Sequence, residues 1–421
     1  MASSSNPGSG FGFPPPDTGN FLLNWISRAL VGAIRIERRV DPFFRPLADR
    51  IFRDPVSRFV TALINKRRKD EGLAIAEERA QPDEEAHLDD IIASFDAQIR
   101  RLWNPGHAER GGNTKTHGIV RGEVTIRDDL PEQMRHGIFA EPGRTYTAWV
   151  RYAGPGPYVP ADIDDVGFMS MSIKLMGVPG PKLLDQEKNT QDFLGISTPT
   201  FVTPDTRANA QLQRWSYKNA QIYYFLNFRE SHILDSIMQL LWTKTQTSPL
   251  ESQYFSCVPY LLGEGQAMQY AMFSRRKERS RVPRLPRRPP DNYLREAMAK
   301  TLAEEDVEFD FTIQTQTDPH KMPIENNGVL WPTKLSPRVP AAVVRIPKQT
   351  FDSQAQLDFA RVLTYNPWHS IAEHRPLGNQ SRARRRMYFE LSRLRQGANA
   401  VEHYEPTGDE EFPGSLPIPA R

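Results

Sequence analysis

The 421-residue chain is 38% hydrophobic, enough for one large core or two ordinary ones, and its 36 prolines and 26 glycines imply long connections. A net charge of only +3 gives no whole-protein field for nucleic acid, and no run nears the roughly 20 apolar residues of a membrane-spanning helix. The single cysteine, Cys257, excludes an internal disulfide, and residues 1–7 lack the basic-then-apolar pattern of a secretion signal, so the cytoplasm is the expected location.

Residues 1–19, rich in Gly, Ser and Pro, read as a disordered tail, and residues 20–100 as a helical arm. Within the arm, Leu22, Trp25, Ile26, Ala29, Ala33 and Ile36 recur at helical spacing, with Arg28, Arg35, Arg38 and Arg39 elsewhere on the helix. Residues 20–40 are therefore a basic amphipathic helix. Two homes fit it: an anionic membrane surface, which would make the protein peripheral to a membrane, or the body of the protein or a neighbouring subunit of a homo-oligomer. Ordinary globular helices favour the second. Another amphipathic helix is expected around residues 88–95.

Residues 101–395 hold the expected main domain. Runs at 123–126, 145–152, 169–175, 307–313 and 341–346 alternate apolar and polar residues between turn signals, and several such strands imply an antiparallel barrel. Residues 210–245 read as a helical insertion that either walls a hydrophobic channel or packs as an ordinary helix pair. Residues 275–292 are basic and rich in proline, but without interleaved aromatics they read as a solvated connector and not as a nucleic-acid site. His369 and His374 lack the spacing of a zinc site. Residues 396–421 read as an exposed C-terminal tail.

Two segments carry chemistry. In the arginine-rich run 381–388, Arg384 lies one helical turn before Tyr388, on the same face of a helix. A fixed guanidinium there favours ionisation of a phenol whose pKa is ordinarily about 10, and a tyrosinate is a metal ligand. Taken alone, the spacing is common in solvated basic helices. Some 270 residues upstream, His117 opens the strand-like run 116–126; such a histidine is more often a capped, satisfied side chain than a catalyst.

Together with the stretches 149–152, 164–168, 173–177, 192–202 and 322–331, in this order, these segments resemble the haem-binding core of the catalase superfamily, over residues 100 to 395. Within it the chain looks like the shorter bacterial catalase-related haem proteins, a group with allene oxide synthase-like members. The resemblance implies an α+β fold: an antiparallel β-barrel enclosing haem b, with surrounding helices and the N-terminal arm. Carried over, it makes Tyr388 the axial ligand of the haem iron, Arg384 its charge partner, His117 the distal histidine, Arg151 a clamp on a haem propionate and Phe201 a haem contact. Cys257, flanked by apolar residues in mid-chain, reads as a buried structural thiol and not as a thiolate ligand.

The chain also departs from the family. Ile196, or with a one-residue shift Ser197, stands where catalases carry the asparagine that hydrogen-bonds peroxide, and an isoleucine cannot donate. Ala153 replaces the serine that orients the distal histidine. Thr116 precedes His117, as in the allene oxide synthase-like members, where its hydroxyl can bond the imidazole and blunt proton transfer. Thr114 stands where a further arginine is expected, and the stretch after the tyrosine is replaced by 389–393, so haem side-contacts are missing there. A less polar distal side rewards a substrate with its own apolar surface. The expected activity is therefore on organic hydroperoxides, most simply of fatty acids, with weak dismutation of hydrogen peroxide. An ordinary catalase or peroxidase, and a haem-binding protein without catalysis, are the alternatives.

Overall fold

The computed structural model describes residues 14–226 and 230–413, so most of the expected N-terminal tail and the last residues of the C-terminal tail lie outside it. The arm is helical: α1 (Phe21–Ala48) passes through a π-turn at Asp49–Arg53 into α2 (Asp54–Arg67), and α3 (Glu84–Leu102) follows after a loop. Asn20 caps α1 by accepting from the Leu23 N–H through its side chain, as a helix start requires. No helix among the described residues is long and apolar enough to cross a membrane.

Strands β1 (Thr116–Ile126), β2 (Thr145–Ala153), β3 (Ser170–Leu175) and β4 (Gln191–Ile196) pair antiparallel in succession. Helices α4 (Thr206–Tyr217), α5 (Ile222–Phe225) and α6 (Ile233–Trp242) come next, where the insertion was expected. The sheet resumes with β5 (Gln253–Phe255), a short β6 (Tyr260–Leu261) and β7 (Ala267–Ser274), then, beyond α7 (Tyr293–Glu304), β8 (Val307–Thr315) and β9 (Val339–Ile346). Two further pairings, β1 with β9 and β5 with β7, close eight of these strands into an antiparallel barrel, with β6 hung on β7. Helices α8 (Gln354–Val362) and α9 (Asn379–Ala398) end the domain.

Successive strand residues face opposite ways, and this period divides the barrel's chemistry in two. Val120, Val124, Tyr146, Val150, Met171, Ile173, Phe193, Tyr270, Phe309 and Val344 point inward and fill the barrel as one buried core. The residues between them, among them Ile119, Trp149 and Leu194, belong to a second cluster outside it, packed against Tyr365 and Tyr388. Haem was expected within the barrel. With the interior already packed, the open space lies on the outer face of β2–β4, under the helices.

The basic connector is less solvated than its composition implies: Arg275 pairs with Glu308 and Asp310, and Arg276 with Glu251 and Glu305. The start of the C-terminal tail is likewise fastened to the barrel. Glu410 Oε2 accepts from Trp149 Nε1 at 2.7 Å, and the Phe412 ring packs on Trp149.

Candidate functional site

A cavity of about 320 Å³ lies between the outer face of the barrel and helices α3, α4 and α9. The barrel contributes Arg151 from β2, Ser170 and Ser172 from β3, and Leu194 and Ile196 from β4. From α9 come Arg384, Met387, Tyr388, Leu391, Ser392 and Arg395, at steps of three and one residue that keep them on one helical face.

The position of α9 is fixed at its start. Asn379 N donates to Glu325 Oε2 at 2.8 Å and Asn379 Nδ2 to the Glu325 carbonyl at 2.7 Å; Gln380 Nε2 bonds Thr203 Oγ1 and the Asp205 carbonyl. Arg382 pairs with Glu78, Glu84 and Glu325. The acid of the 322–331 stretch is thus a clamp on the helix that carries Tyr388. Gly378, just before the helix, has φ +86° and places a would-be Cβ 2.4 Å from the Ile324 carbonyl oxygen. Gly378→Ala should cost roughly 1–3 kcal/mol by strain and contact together, read as a lower urea midpoint at unchanged slope.

Arg384 is fully buried, donates from Nη2 to Tyr388 Oη at 3.3 Å and lies 5.2 Å from the centre of its ring. Burial works against its charge, yet the phenols of Tyr388 and Tyr260 hold its pKa above the ordinary arginine value. At the other side of the cavity stand three more buried guanidiniums, Arg110, Arg151 and Arg395. Arg151 Nη2 bonds Thr116 Oγ1 and the Asn113 carbonyl, each at 2.7 Å. Arg110 Nη2 bonds the Ala360 carbonyl at 2.8 Å, and Arg395 bonds the carbonyls of Arg361 and Leu363. Burial first, and then their mutual repulsion, disfavours charge on Arg151 and Arg395. Among the described residues no carboxylate pairs with any of the three; the nearby Glu109 is taken by Arg361 at 2.6 Å. Arg110 Nη1 and Arg384 Nη1 are buried without any hydrogen-bond partner.

This arrangement brings together Tyr388, Arg384, Arg151, Ile196 and Phe201 in one cavity wall. It does not bring His117 and Thr116 there. Thr116 Oγ1 accepts from Arg151, not from the imidazole. His117 sits at a register shift of β1, with Nδ1 3.7 Å from Asp162 Oδ1 and neither ring nitrogen hydrogen-bonded. Burial, then the charges of Lys115, Arg295 and Arg151, hold it well below the usual histidine range, so it is neutral at pH 7. Its Nε2 faces Gly154, whose neighbour Pro155 does line the cavity. Ser197, next to Ile196, is turned away: its hydroxyl accepts from Met169 N at 2.9 Å. Cys257 reaches the wall, but its Sγ donates to the Thr198 carbonyl at 2.8 Å and burial pushes its pKa up, so it stays a thiol.

Sequence reasoning missed Arg110 and Arg395. Arg395 was legible, since it follows Tyr388 by seven residues, two helical turns along the same face. Arg110 lies in a loop with no periodic signal. A second buried polar group braces this wall: Lys174 Nζ pairs with Glu187 and stands 2.8 Å from Asp192 Oδ1, while Asp192 Oδ2 accepts from Asn366 N at 2.8 Å. Ligand atoms of Glu187, Asp192 and His369 lie within 4.8 Å of one another, and the Lys174 ammonium supplies the positive charge at that point. The segment so held carries Thr364 and Tyr365 into the cavity.

Among solved structures, the chain is similar to a fungal catalase, with a TM-score of 0.55 at 17% identity over 79% of this chain and 66% of that one. It is also similar to catalase A of Saccharomyces cerevisiae, with a TM-score of 0.58 at 13% identity over 82% of this chain and 72% of that one. This is the fold of catalases. At such identity the likeness concerns the fold alone, and the chain spans just under two thirds of the fungal protein. No family model and no curated protein matches the sequence.

Proposed function

We propose that the cavity binds haem b and that the protein acts on organic hydroperoxides, most simply those of fatty acids. One observation carries the haem reading: four buried guanidiniums and a phenol face a cavity whose exposed surface is mostly apolar and which offers them no carboxylate. Unpaired buried charge is costly, so the site is built for an anionic occupant. A flat apolar macrocycle with two propionates meets every one of those groups. Arg110, Arg151 and Arg395 would clamp the carboxylates, Tyr388 Oη would ligate the iron, and Arg384, which donates to that oxygen, would stabilise it as a ligand.

Haem, when bound, supplies the redox chemistry of O–O cleavage. The chain's own residues set which peroxide reaches it. Ile196, Leu194 and Phe201 line the cavity without offering a side-chain donor, which excludes water and favours a substrate with an acyl tail. In this reading the neutral imidazole of His117, which stands behind Gly154 and off the cavity wall, would take the hydroperoxide proton at Nε2 and return it to the leaving oxygen.

Haem binding without turnover is the competing reading, and it is favoured by the absence of His117 from the cavity wall. One experiment separates them. Turnover of linoleic acid hydroperoxide and of hydrogen peroxide is measured on the haem-loaded protein, with products followed by mass spectrometry, for the wild type, His117→Ala and Ile196→Asn. The proposal expects the fatty-acid substrate to be preferred and its turnover to fall in His117→Ala. It also expects Ile196→Asn to raise hydrogen peroxide turnover severalfold, because one preorganised donor is worth up to ~3 kcal/mol. Rapid oxygen release from hydrogen peroxide by the wild type would overturn the substrate preference. Hydroperoxide products unchanged in His117→Ala would remove the histidine from the mechanism.

A further inference from the structure

The arm is docked the wrong way round. A surface helix ordinarily buries its apolar stripe and shows its polar one, but the buried residues of α1 are Ser27, Arg38 and Asp41. These make its anchors. Arg38 Nη2 donates to the Val166 carbonyl at 2.8 Å, with its guanidinium seated over Gly167, where any Cβ would collide with it. Asp41 Oδ2 accepts from Thr245 N at 2.7 Å, Thr245 Oγ1 donates to the Arg38 carbonyl at 2.6 Å, and Arg45 Nη2 donates to the Leu241 carbonyl at 2.7 Å.

The apolar residues consequently face outward. Phe21, Trp25, Ile36, Val40, Phe43 and Leu47 are 43% to 85% exposed, and at about 100° per residue they fall within about 100° of arc along the whole helix. Phe52, within the π-turn, and Phe59, beyond it, continue the exposure at 58% and 63%. Nothing else in the described chain covers this stripe.

We propose that this face docks on an anionic phospholipid bilayer, with α1 lying in the plane of the membrane interface. Charge decides the occupant. Arg28, Arg50 and Arg58 are exposed and pair with no carboxylate among the described residues. Of the four acids between residues 21 and 67, Asp41 is buried, Glu37 is half-buried and Asp49 is held by Arg45 and Arg53, which leaves Asp54 as the one exposed carboxylate. A second copy of this segment would bring a single exposed acid, Asp54, to meet three unpaired arginines, whereas lipid headgroups would meet all of them. Trp25, a ring with a polar edge and an apolar body, is suited to the boundary, and the phenylalanines add apolar surface to bury beneath it. An interfacial helix of this kind sinks its apolar side about 5–10 Å below the headgroups.

The start of the arm is tied to α4, one of the helices that wall the cavity. Asp17 N donates to the Lys218 carbonyl at 2.8 Å at the end of α4, and Tyr223 Oη donates to the Leu23 carbonyl. Asn209, Leu212 and Gln213 of α4 form part of the cavity wall. The membrane proposal rests on the arm alone and holds whether or not the cavity binds haem.

Co-sedimentation of the full-length protein, loaded and haem-free, with phosphatidylcholine vesicles and with equimolar phosphatidylcholine–phosphatidylglycerol vesicles tests it, alongside light scattering of the protein alone. Binding to the anionic vesicles should be about tenfold stronger than to the neutral ones and should weaken as salt is raised. Trp25→Asp with Phe43→Asp should cut it about tenfold, and Arg28→Glu with Arg50→Glu should erase the preference for anionic lipid. Both pairs are exposed, so circular dichroism should be unchanged. No pelleting with either vesicle, or equal pelleting with both, overturns the proposal. So does a self-associated species that binds no vesicles and falls apart in Trp25→Asp with Phe43→Asp, which would make the face a contact between copies. Failure of the haem reading would appear in the absorption spectrum and leave vesicle binding as it is.

Discussion

Tyr388→Phe should abolish the phenolate-ligated spectrum and leave at most weakly held haem, while Cys257→Ser should change neither. The reason lies in the difference between the two side chains. Tyr388 opens onto the cavity beside a buried guanidinium with an unpartnered Nη1, so removing its oxygen takes away the ligand and leaves Arg384 facing an apolar ring. Charge-assisted hydrogen bonds contribute roughly 1.5–3 kcal/mol each, and the iron–oxygen bond is lost as well. The Cys257 thiol is buried, bonded to the Thr198 carbonyl and held protonated. The measurement is a haem titration followed at the Soret band for all three proteins. A Tyr388→Phe protein with the wild-type spectrum would refute the ligand assignment, and a spectral change confined to Cys257→Ser would transfer it to the thiol.

Why one part of the site was legible and another was not follows from where the information sits. Tyr388 and Arg384 are four residues apart on a single helix, so their proximity is a local property of the sequence. The strands at 145–152, 169–175, 307–313 and 341–346 are rich in alternating β-formers, and all of them form. Strand β7 escaped notice because its inward residues include Met268 and Met272, which carry little strand propensity, although Tyr270 between them keeps the period of two. The orientation of α1 could not be read at all. Its amphipathic pattern was plain, but which side faces the protein depends on residues more than 100 positions away: the Val166 and Leu241 carbonyls, which accept from Arg38 and Arg45, and the Thr245 amide, which donates to Asp41.

The distal side shows a similar limit. The block leaves Ile196 and Ser197 as alternatives for the distal position, and the cavity wall contains Ile196 while Ser197 is tied back to Met169. The link imagined between Thr116 and His117 depended on a hydroxyl that Arg151 claims instead, and an arginine with five donors is a strong competitor for one acceptor. His117 is left with two unbonded ring nitrogens among Lys115, Asp162 and Arg295.

Replacing Arg151 and Arg395 together by leucine should have opposite effects on the haem-free and haem-loaded protein. Without a ligand, the two guanidiniums are buried beside Arg110 with no carboxylate partner, and arginine does not escape the cost by losing its proton. Hydrophobic replacements of similar bulk relieve that cost, so the haem-free double variant should melt at the wild-type temperature or above it. In the proposed reading these two residues, with Arg110, would hold the propionates of bound haem. Losing two charge-assisted contacts of roughly 1.5–3 kcal/mol each should weaken haem affinity about 100-fold or more. Arg151 also bonds Thr116 and the Asn113 carbonyl, so its loss disturbs the start of β1; Arg395→Leu alone, whose partners are two helix-end carbonyls, is the cleaner single variant. Melting curves with and without haem, combined with transfer of haem to an excess of apomyoglobin, give both numbers on one preparation. If the haem-free variants are destabilised and haem retention is unaltered, the arginines are structural and the cavity was built for something other than a dicarboxylate.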